Sequence, residues 1–252
     1  MEKICLIYQP CGLGDILFLQ KIHNIWRDKG YRIVHPVIHE YAWLSEYLPK
    51  SDFPSWKDEK NIIAGPPLPE DCVFPYKEKY DPRSPDFFSD EFVYLNFFKG
   101  LQGLVMDYKY RQYGLDYKDW NSYIKLKRNT EKEKYLYYDV LKLKDDEDFV
   151  FMNGLFQMRP NIRYINRFPQ PSLEGKKVVN MQILSEFTLV DWLMVVEKAR
   201  TIVMIESALN YLLEIPGISE IISKKELYLY SRVNNFSEVD YLFKLPWKYC
   251  SM

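Results

Sequence analysis

The amino-terminal segment constrains the fold of this chain more than any other part of the sequence. An apolar run, Ile4–Tyr8, leads into a turn that contains Gly12 and Gly14, and a second apolar run begins directly after Asp15. This pattern predicts a buried strand, a tight turn and a helix. Such a turn places backbone N–H groups and one carboxylate at the carboxyl end of a strand, where open α/β sheets bind their ligands.

The residues that follow extend the pattern to a parallel sheet. Apolar residues at helical spacing predict a helix over 15–29, Gly30 is placed to end it, and 31–38 predicts a second strand. A strand–helix–strand unit of this length is typical of a right-handed crossover between parallel strands. A further strand is predicted at 92–96 and a further helix at 102–113.

The second half of the chain repeats the alternation of strands and helices. Thr188 and Asp191 form a variant of the capping box, which predicts the start of a helix that runs to about Ala199. The predicted strands are 149–152, 178–182, 201–205 and 227–230, and the other predicted helices are 208–214 and 236–244. The fold class is therefore α/β, with two Rossmann-like parallel-sheet domains facing each other across a cleft.

A charged segment separates the two halves. Residues 125–134 are nearly all charged, and 145–148 are all acidic. We therefore predict an amino-terminal domain over 1–128, a linker over 129–147 and a carboxy-terminal domain over 148–252. A chain of 252 residues is long enough for two small domains.

Composition excludes several classes of protein. The chain has 34 basic and 35 acidic residues, whereas nucleic-acid-binding domains normally have a basic excess. The four cysteines form no CxxC pair and have no zinc spacing, so we expect reduced thiols and no metal site. No apolar run approaches the ~18 residues of a membrane span, and Met1-Glu2-Lys3 leads directly into a strand. These features predict a cytoplasmic protein with no integral membrane segment.

The glycine turn lacks the marks of the common cofactor loops. A dinucleotide fingerprint would need a third glycine at position 17, which is Leu17, and no Gly-Lys-Ser/Thr sequence follows. A Rossmann-type enzyme with a relaxed fingerprint remains an alternative. So does a purely structural turn in which Asp15 caps the helix.

Residues 10–17 resemble the first strand–turn–helix of the heptosyltransferase-like glycosyltransferases, which have the GT-B fold. In that family the turn carries a Gly-Asp pair, and its aspartate is the proposed general base on the acceptor side. The resemblance implies that Asp15 is the base and that Gly12 and Gly14 lie beside the acceptor. Residues 203–213 resemble the family's strand–turn–helix over the nucleotide-sugar donor, which implies donor contacts at Glu206 and Ser207.

Inverting sugar transfer needs positive charge or helix N-termini for the departing diphosphate. Asn153, at a predicted strand end, is a candidate donor contact, and three arginines follow it: Arg159, Arg163 and Arg167. Arginine suits bidentate phosphate binding, although a solvated basic loop is the alternative. Ser207 is a second candidate for the phosphate, and Glu206 is a candidate for the ribose hydroxyls.

Two further candidate residues are expected on the acceptor side, and one acidic run is excluded as a metal site. His39 follows the second predicted strand, and Tyr110 belongs to a tyrosine-rich stretch that is either a sugar platform or core packing. The acidic run 146–148 spells DxD, but it precedes a strand, whereas the metal-binding motif of metal-dependent transferases follows one. We therefore predict no metal.

Together, the family resemblance and these patterns predict a metal-independent, inverting glycosyltransferase. Its expected donor substrate is a nucleotide-diphosphate sugar, and its expected acceptor is a glycan or another hydroxyl compound. No further cofactor and no nucleic acid are expected. The alternative is a non-catalytic carbohydrate- or nucleotide-binding protein with the same fold. It is favoured by Ala208, Leu209 and Asn210, which stand where the resembling family has glycine and histidine.

Overall fold

The first predicted strand lies at the centre of a parallel sheet. Strand β1 (Lys3–Tyr8) pairs with β2 (Tyr31–Val34) on one side and with β3 (Glu91–Tyr94) on the other. Its inner residues have no exposed surface, as is typical of a parallel strand covered on both faces. The computed structural model of the protein describes residues 3–9, 12–37, 39–53, 91–94, 105–158, 161–164, 175–232 and 240–251.

The predicted helix over 15–29 is divided into two. Helix α1 (Leu13–Phe18) ends one residue before α2 (Gln20–Asp28) begins. At the division, the buried side-chain amide of Gln20 donates to the carbonyl of Ile16 at 3.0 Å, which competes with the helical hydrogen bonds. Gly30 follows α2 with φ of +87°, so the predicted glycine cap is confirmed.

Strand β2 is shorter than predicted. It ends at Val34 because the chain then binds a neighbouring segment: the N–H of His35 donates to the carbonyl of Asp52 at 2.8 Å. The other elements described in this part of the chain are short: a 3-10 turn at His39–Tyr41, α3 (Leu44–Tyr47), α4 (Val105–Arg111) and a 3-10 turn at Trp120–Tyr123.

Beyond residue 127 the chain forms a second parallel sheet. The strands there are β4 (Phe149–Asn153), β5 (Leu155–Met158), β6 (Asn161–Tyr164), β7 (Lys177–Asn180), β8 (Thr201–Ile205), β9 (Glu226–Tyr230) and β10 (Lys248–Cys250). Five of them pair in the order β10-β9-β8-β4-β7, and every pair is parallel. Strands β5 and β6 form a separate antiparallel hairpin. All residues of the central strands β4 and β8 are buried.

The chain divides into two compact units, residues 1–127 and 128–252. The predicted linker over 129–147 therefore belongs to the second unit, where it forms α5 (Thr130–Lys134) and a π-helical turn (Tyr135–Val140). The guanidinium of Arg128 ties this segment to the second unit. It binds Glu133 on α5, and it also binds both carboxylate oxygens of Glu197 on α6 (Leu193–Lys198), at 2.5 and 2.9 Å. These two carboxylates raise the pKa of Arg128 against the effect of burial.

The described residues of the second unit also form α7 (Ala208–Leu213) and α8 (Ile218–Ile222). The predicted N-cap at Thr188 is wrong, because a 3-10 turn (Val190–Trp192) precedes α6 and its N-cap is Leu189. Thr188 and Asp191 do pair, since the N–H and hydroxyl of Thr188 both donate to the Asp191 carboxylate, at 2.6 and 2.9 Å. For the predicted helix over 236–244, residues 233–239 lie outside the described part of the chain, and 240–244 form a turn and loop. Strand β10, which follows, was not predicted.

Within the described ranges, none of the helices combines the length and the apolar character needed to cross a lipid bilayer.

Candidate functional site

The topology of the second sheet places a ligand crevice at one point. After β4 the chain goes to one side of that strand, to β7, and then returns to the other side, where it adds β8, β9 and β10 in turn. In open α/β sheets, ligands bind outside the carboxyl ends of the strands at the position where the order reverses. Here that position is between the carboxyl ends of β4 and β8.

Two of the predicted donor residues meet at this position. Asn153 ends β4, and its amide Nδ2 donates to the hydroxyl of Ser207, beyond the end of β8, at 3.1 Å. The Asn153 Oδ1 accepts from the N–H of Leu155 at 2.9 Å, which fixes the amide orientation. Ser207 is the N-cap of α7, and its own N–H donates to the Oδ1 of Asn210 at 2.8 Å. The side-chain Nδ2 of buried Asn210 has no partner in the described part of the chain.

Glu206 lies beside Ser207 in a buried position and is paired with a residue that the sequence analysis did not identify. Its carboxylate Oε1 accepts from the Nη2 of Arg232 at 2.6 Å, and its N–H donates to the carbonyl of Tyr230, the last residue of β9, at 3.0 Å. Arg232 is about one-third exposed. Arg232 lies two residues beyond the end of a predicted strand, and Glu206 and Ser207 likewise follow the end of another predicted strand. This shared position was the signal that could have identified Arg232.

The predicted arginine cluster is only partly described. Arg163 lies in β6, opposite Phe156 of β5 in the hairpin that follows β4. Arg159 and Arg167 lie outside the described residues. The acidic run 146–148 lies before the amino end of β4, away from the crevice, and two of its carboxylates pair with surface cations: Glu147 with Lys177 and Asp148 with Arg200.

In the first unit, the structure gives Asp15 a charged partner. The N-cap of α1 is Gly12, so Asp15 is not the cap, and the capping alternative is wrong. The Asp15 carboxylate instead forms an ion pair through Oδ1 with the Nζ of Lys109 on α4. The Lys109 side chain is completely buried, while that of Asp15 is 20% exposed. Lys109 was not predicted as this partner, because the two residues are 94 positions apart in the sequence.

The other acceptor-side candidates are placed as follows. Gly14 is the second residue of α1. Tyr110 is completely buried, its hydroxyl donates to the carbonyl of Phe18, and burial raises its pKa well above the usual value. Tyr110 therefore belongs to the core, so the core-packing interpretation of the tyrosine-rich stretch applies to this residue. His39 begins a 3-10 turn after β2, and its side chain lies outside the described part of the structure.

A buried polar chain lies close to the Asp15–Lys109 pair. The Nε2 of His23 and the Nδ1 of His35 are 2.9 Å apart, and the Nδ1 of His23 is 2.9 Å from the hydroxyl of Ser51. Both rings are completely buried, so desolvation lowers both pKa values; that of His35 falls to about 3. The charge of Lys109 contributes to the shift of His35, while a hydrogen bond with the Gln9 backbone opposes it.

We expect these two histidines to make folding sensitive to acid. Both bind protons more readily in the unfolded chain. His35, with a pKa of about 3, should therefore cost about 2 kcal/mol of folding free energy at pH 5 relative to pH 8, and His23 should add a loss in the same direction. The loss should begin near pH 6.5 and increase as the pH falls. Urea unfolding from pH 8 to 5 measures the effect, and NMR of the imidazole C–H resonances should show two histidine rings that do not titrate in that range. Two rings titrating near pH 6.5 would contradict the expectation.

Among the described residues, no three His, Cys, Asp or Glu side chains are placed together as a metal would require.

Comparison with known proteins identifies a similar fold. Neither the protein-family models nor the curated proteins include a match to this sequence. Among solved structures, the crystal structure of the glycosyl transferase family 9 protein from Veillonella parvula DSM 2008 is similar, with a TM-score of 0.56 and 11% identity. The alignment covers 100% of this chain and 87% of that one. At this identity the similarity shows the fold alone, and the predicted mixed α/β fold with parallel sheets is confirmed.

Proposed function

We propose that this protein is a glycosyltransferase that moves a sugar from a nucleotide-diphosphate donor to a hydroxyl acceptor, without a metal and with inversion. The observation that carries the proposal is the similarity in fold, over the whole chain, to a glycosyltransferase. Because fold does not fix function, the residues at the two strand edges must supply the rest of the argument.

The second unit is proposed to bind the donor. The hydroxyl of Ser207 and the amide of Asn153 lie at the crevice between β4 and β8 and offer hydrogen bonds to a phosphate. The guanidinium of Arg232 lies two residues beyond the end of β9 and pairs with Glu206. Arginine stabilises the negative charge that develops on a departing diphosphate. Glu206 is proposed to accept hydrogen bonds from the ribose hydroxyls through the oxygen that Arg232 does not bind.

The first unit is proposed to bind the acceptor, with Asp15 as the general base. A base must take the proton of the acceptor hydroxyl as its oxygen forms a bond to the anomeric carbon. The bond from that carbon to the diphosphate then breaks, and the diphosphate leaves with the electron pair. This mechanism requires the two strand edges to face each other across a cleft when both substrates are bound. We also propose that the reaction takes place in the cytoplasm, where nucleotide sugars are made.

A thermal-shift screen tests the proposal. The protein is heated with UDP, GDP, ADP or CMP and with their sugars, each with Mg²⁺ and with EDTA. A ligand that binds only the folded state at 100 times its Kd stabilises that state by about 2.7 kcal/mol. A shift with one diphosphate nucleotide that EDTA does not change supports the proposal and identifies the donor base. If none of the nucleotides shifts the melting temperature, the donor assignment fails.

Arg232 provides the sharpest test of the donor site. Replacing Arg232 with Ala should weaken binding of the nucleoside diphosphate roughly tenfold to a hundredfold, since hydrogen bonds to charged groups contribute about 1.5–3 kcal/mol. Arg232→Lys should restore part of the loss. Arg200→Ala is the matched control, because Arg200 pairs with Asp148 before the amino end of β4 and is 75% exposed. Titration calorimetry measures each affinity, and an unchanged Kd for Arg232→Ala would remove this residue from the site.

The alternative, a binding protein without transfer activity, is favoured by one observation. The Asp15 carboxylate already has an ionic partner in Lys109, which is also the geometry of a structural ion pair. This alternative predicts that a nucleotide sugar binds but is not consumed, and that Asp15→Asn changes neither property.

A further inference from the structure

We infer that Lys109 is a positioning residue that holds the Asp15 carboxylate by Oδ1, so that Oδ2, beside Gly12, receives the proton of the acceptor hydroxyl. This inference rests on the proposed function. It goes further, because it identifies which oxygen acts and names two residues that direct it.

The burial of Lys109 supports this role. Lysine is almost never completely buried unless it is paired, because an ammonium group loses its hydration there. Lys109 has no exposed side-chain surface, whereas Asp15 keeps one-fifth of its own. The pair is therefore anchored on the lysine side and open on the aspartate side. An ammonium bound at Oδ1 restricts rotation of the carboxylate, which fixes the direction of Oδ2.

Gly12 lies beside Oδ2. Gly12 has φ of −61° and ψ of 171°, a conformation that any residue adopts. A Cβ atom at this position would meet one described atom within 4 Å, the Oδ2 of Asp15, at 3.8 Å. Neither the backbone conformation nor the packing of the described residues therefore requires glycine here. Among those residues, what glycine provides is open space next to Oδ2, the carboxylate oxygen that Lys109 does not bind.

Together the two residues define the proton transfer. The acceptor hydroxyl lies against Oδ2 and over Gly12, its proton passes to Oδ2, and its oxygen bonds to the anomeric carbon while the diphosphate departs. Lys109 keeps its bond to Oδ1. His35 is a titratable group near Lys109 in the described part of the chain. It is completely buried, and burial is the first cause that lowers its pKa to about 3, so it adds no charge at neutral pH.

The main test uses Lys109→Met and Lys109→Arg in the full chain, with the donor found in the nucleotide screen. Lys109→Met should lower kcat about tenfold to a hundredfold, since misplacing a reacting group by 1 Å costs about that much. The KM for the donor should not change. Lys109→Arg should restore part of the rate.

Two control variants separate positioning from folding. Lys21→Met removes another ion-paired and mostly buried lysine of the same unit, one that binds Asp119, and should leave kcat unchanged. In an Asp15→Asn background, Lys109→Met should cause no further loss, because its effect acts through Asp15.

Gly12→Ala decides the question if Lys109→Met fails to fold. The methyl group should leave the melting temperature and donor affinity unchanged and reduce kcat/KM for the acceptor roughly tenfold. If wild type consumes the donor, and Lys109→Met and Gly12→Ala both keep its kinetics, the inference is overturned while the proposed function stands. If wild type transfers no sugar from any donor, both are overturned.

Discussion

Replacing Asp15 with Asn is expected to lower kcat by a factor of about 10²–10⁴, the usual contribution of a general base. Asparagine keeps the size of the side chain but cannot accept the proton of the acceptor hydroxyl. Donor affinity should be unchanged, because the proposed donor residues all belong to the second unit. Product formation measured by mass spectrometry gives the rate, and titration calorimetry with the nucleoside diphosphate gives the affinity.

The chain offers a close control for this change. Asp107 is 21% exposed, against 20% for Asp15, and it also forms an ion pair, with Arg111 at 2.8 Å on the same helix. Asp107→Asn should retain full activity. Full activity in Asp15→Asn would sink the assignment of the base, and an equal loss in both variants would show that the effect is not specific to Asp15.

Glu214 is expected to give the largest loss of stability. It is buried at the end of α7, and its carboxylate accepts three hydrogen bonds from the segment that leads to β10: from the N–H groups of Lys244 at 2.9 Å and Leu245 at 3.2 Å, and from the indole of Trp247 at 3.3 Å. Burial raises the pKa of this carboxyl, and these three donors oppose the shift. Glu214→Ala leaves the donors without their acceptor, so we expect a loss of about 3 kcal/mol in the free energy of unfolding.

Glu214→Gln should be intermediate, since its amide oxygen can still accept while its NH₂ group faces a donor. Glu220→Ala, an exposed position on α8, should change stability by no more than about 0.5 kcal/mol. Urea unfolding monitored by tryptophan fluorescence measures all three variants. If Glu214→Ala unfolds at the wild-type urea concentration, the carboxylate does not hold this segment.

The strands that could be predicted are those buried on both faces. β1, β4 and β8 read as continuous apolar runs, because both faces of a parallel sheet are covered, and their bounds agree with the prediction within one or two residues. β10 has only three residues, Lys248-Tyr249-Cys250, none of them buried, so no apolar run marks it. The division between α1 and α2 depends on one side-chain amide, which no periodic pattern reveals.

The candidate site could be predicted only as far as each strand end. Asn153 and Ser207 each follow an apolar run, so their meeting at one sheet edge follows from the topology of parallel strands. Lys109 and Arg232 reach their carboxylate partners from elements far along the chain, and a single sequence does not show which distant residues pair. For that reason, charge pairing was the main feature of the site that sequence reasoning missed.

The strand order of the second sheet has a consequence for local opening. β4 and β8 lie inside the sheet, paired on both sides, while β10 lies at an edge. Amide hydrogens of β10 should therefore exchange with solvent long before those of β4 and β8, whose exchange requires opening of the sheet interior. Asn153 and Ser207 therefore lie at the ends of the strands that we expect to open most slowly. A ligand bound at that crevice would contact a rigid part of the sheet, even when the edge strand opens.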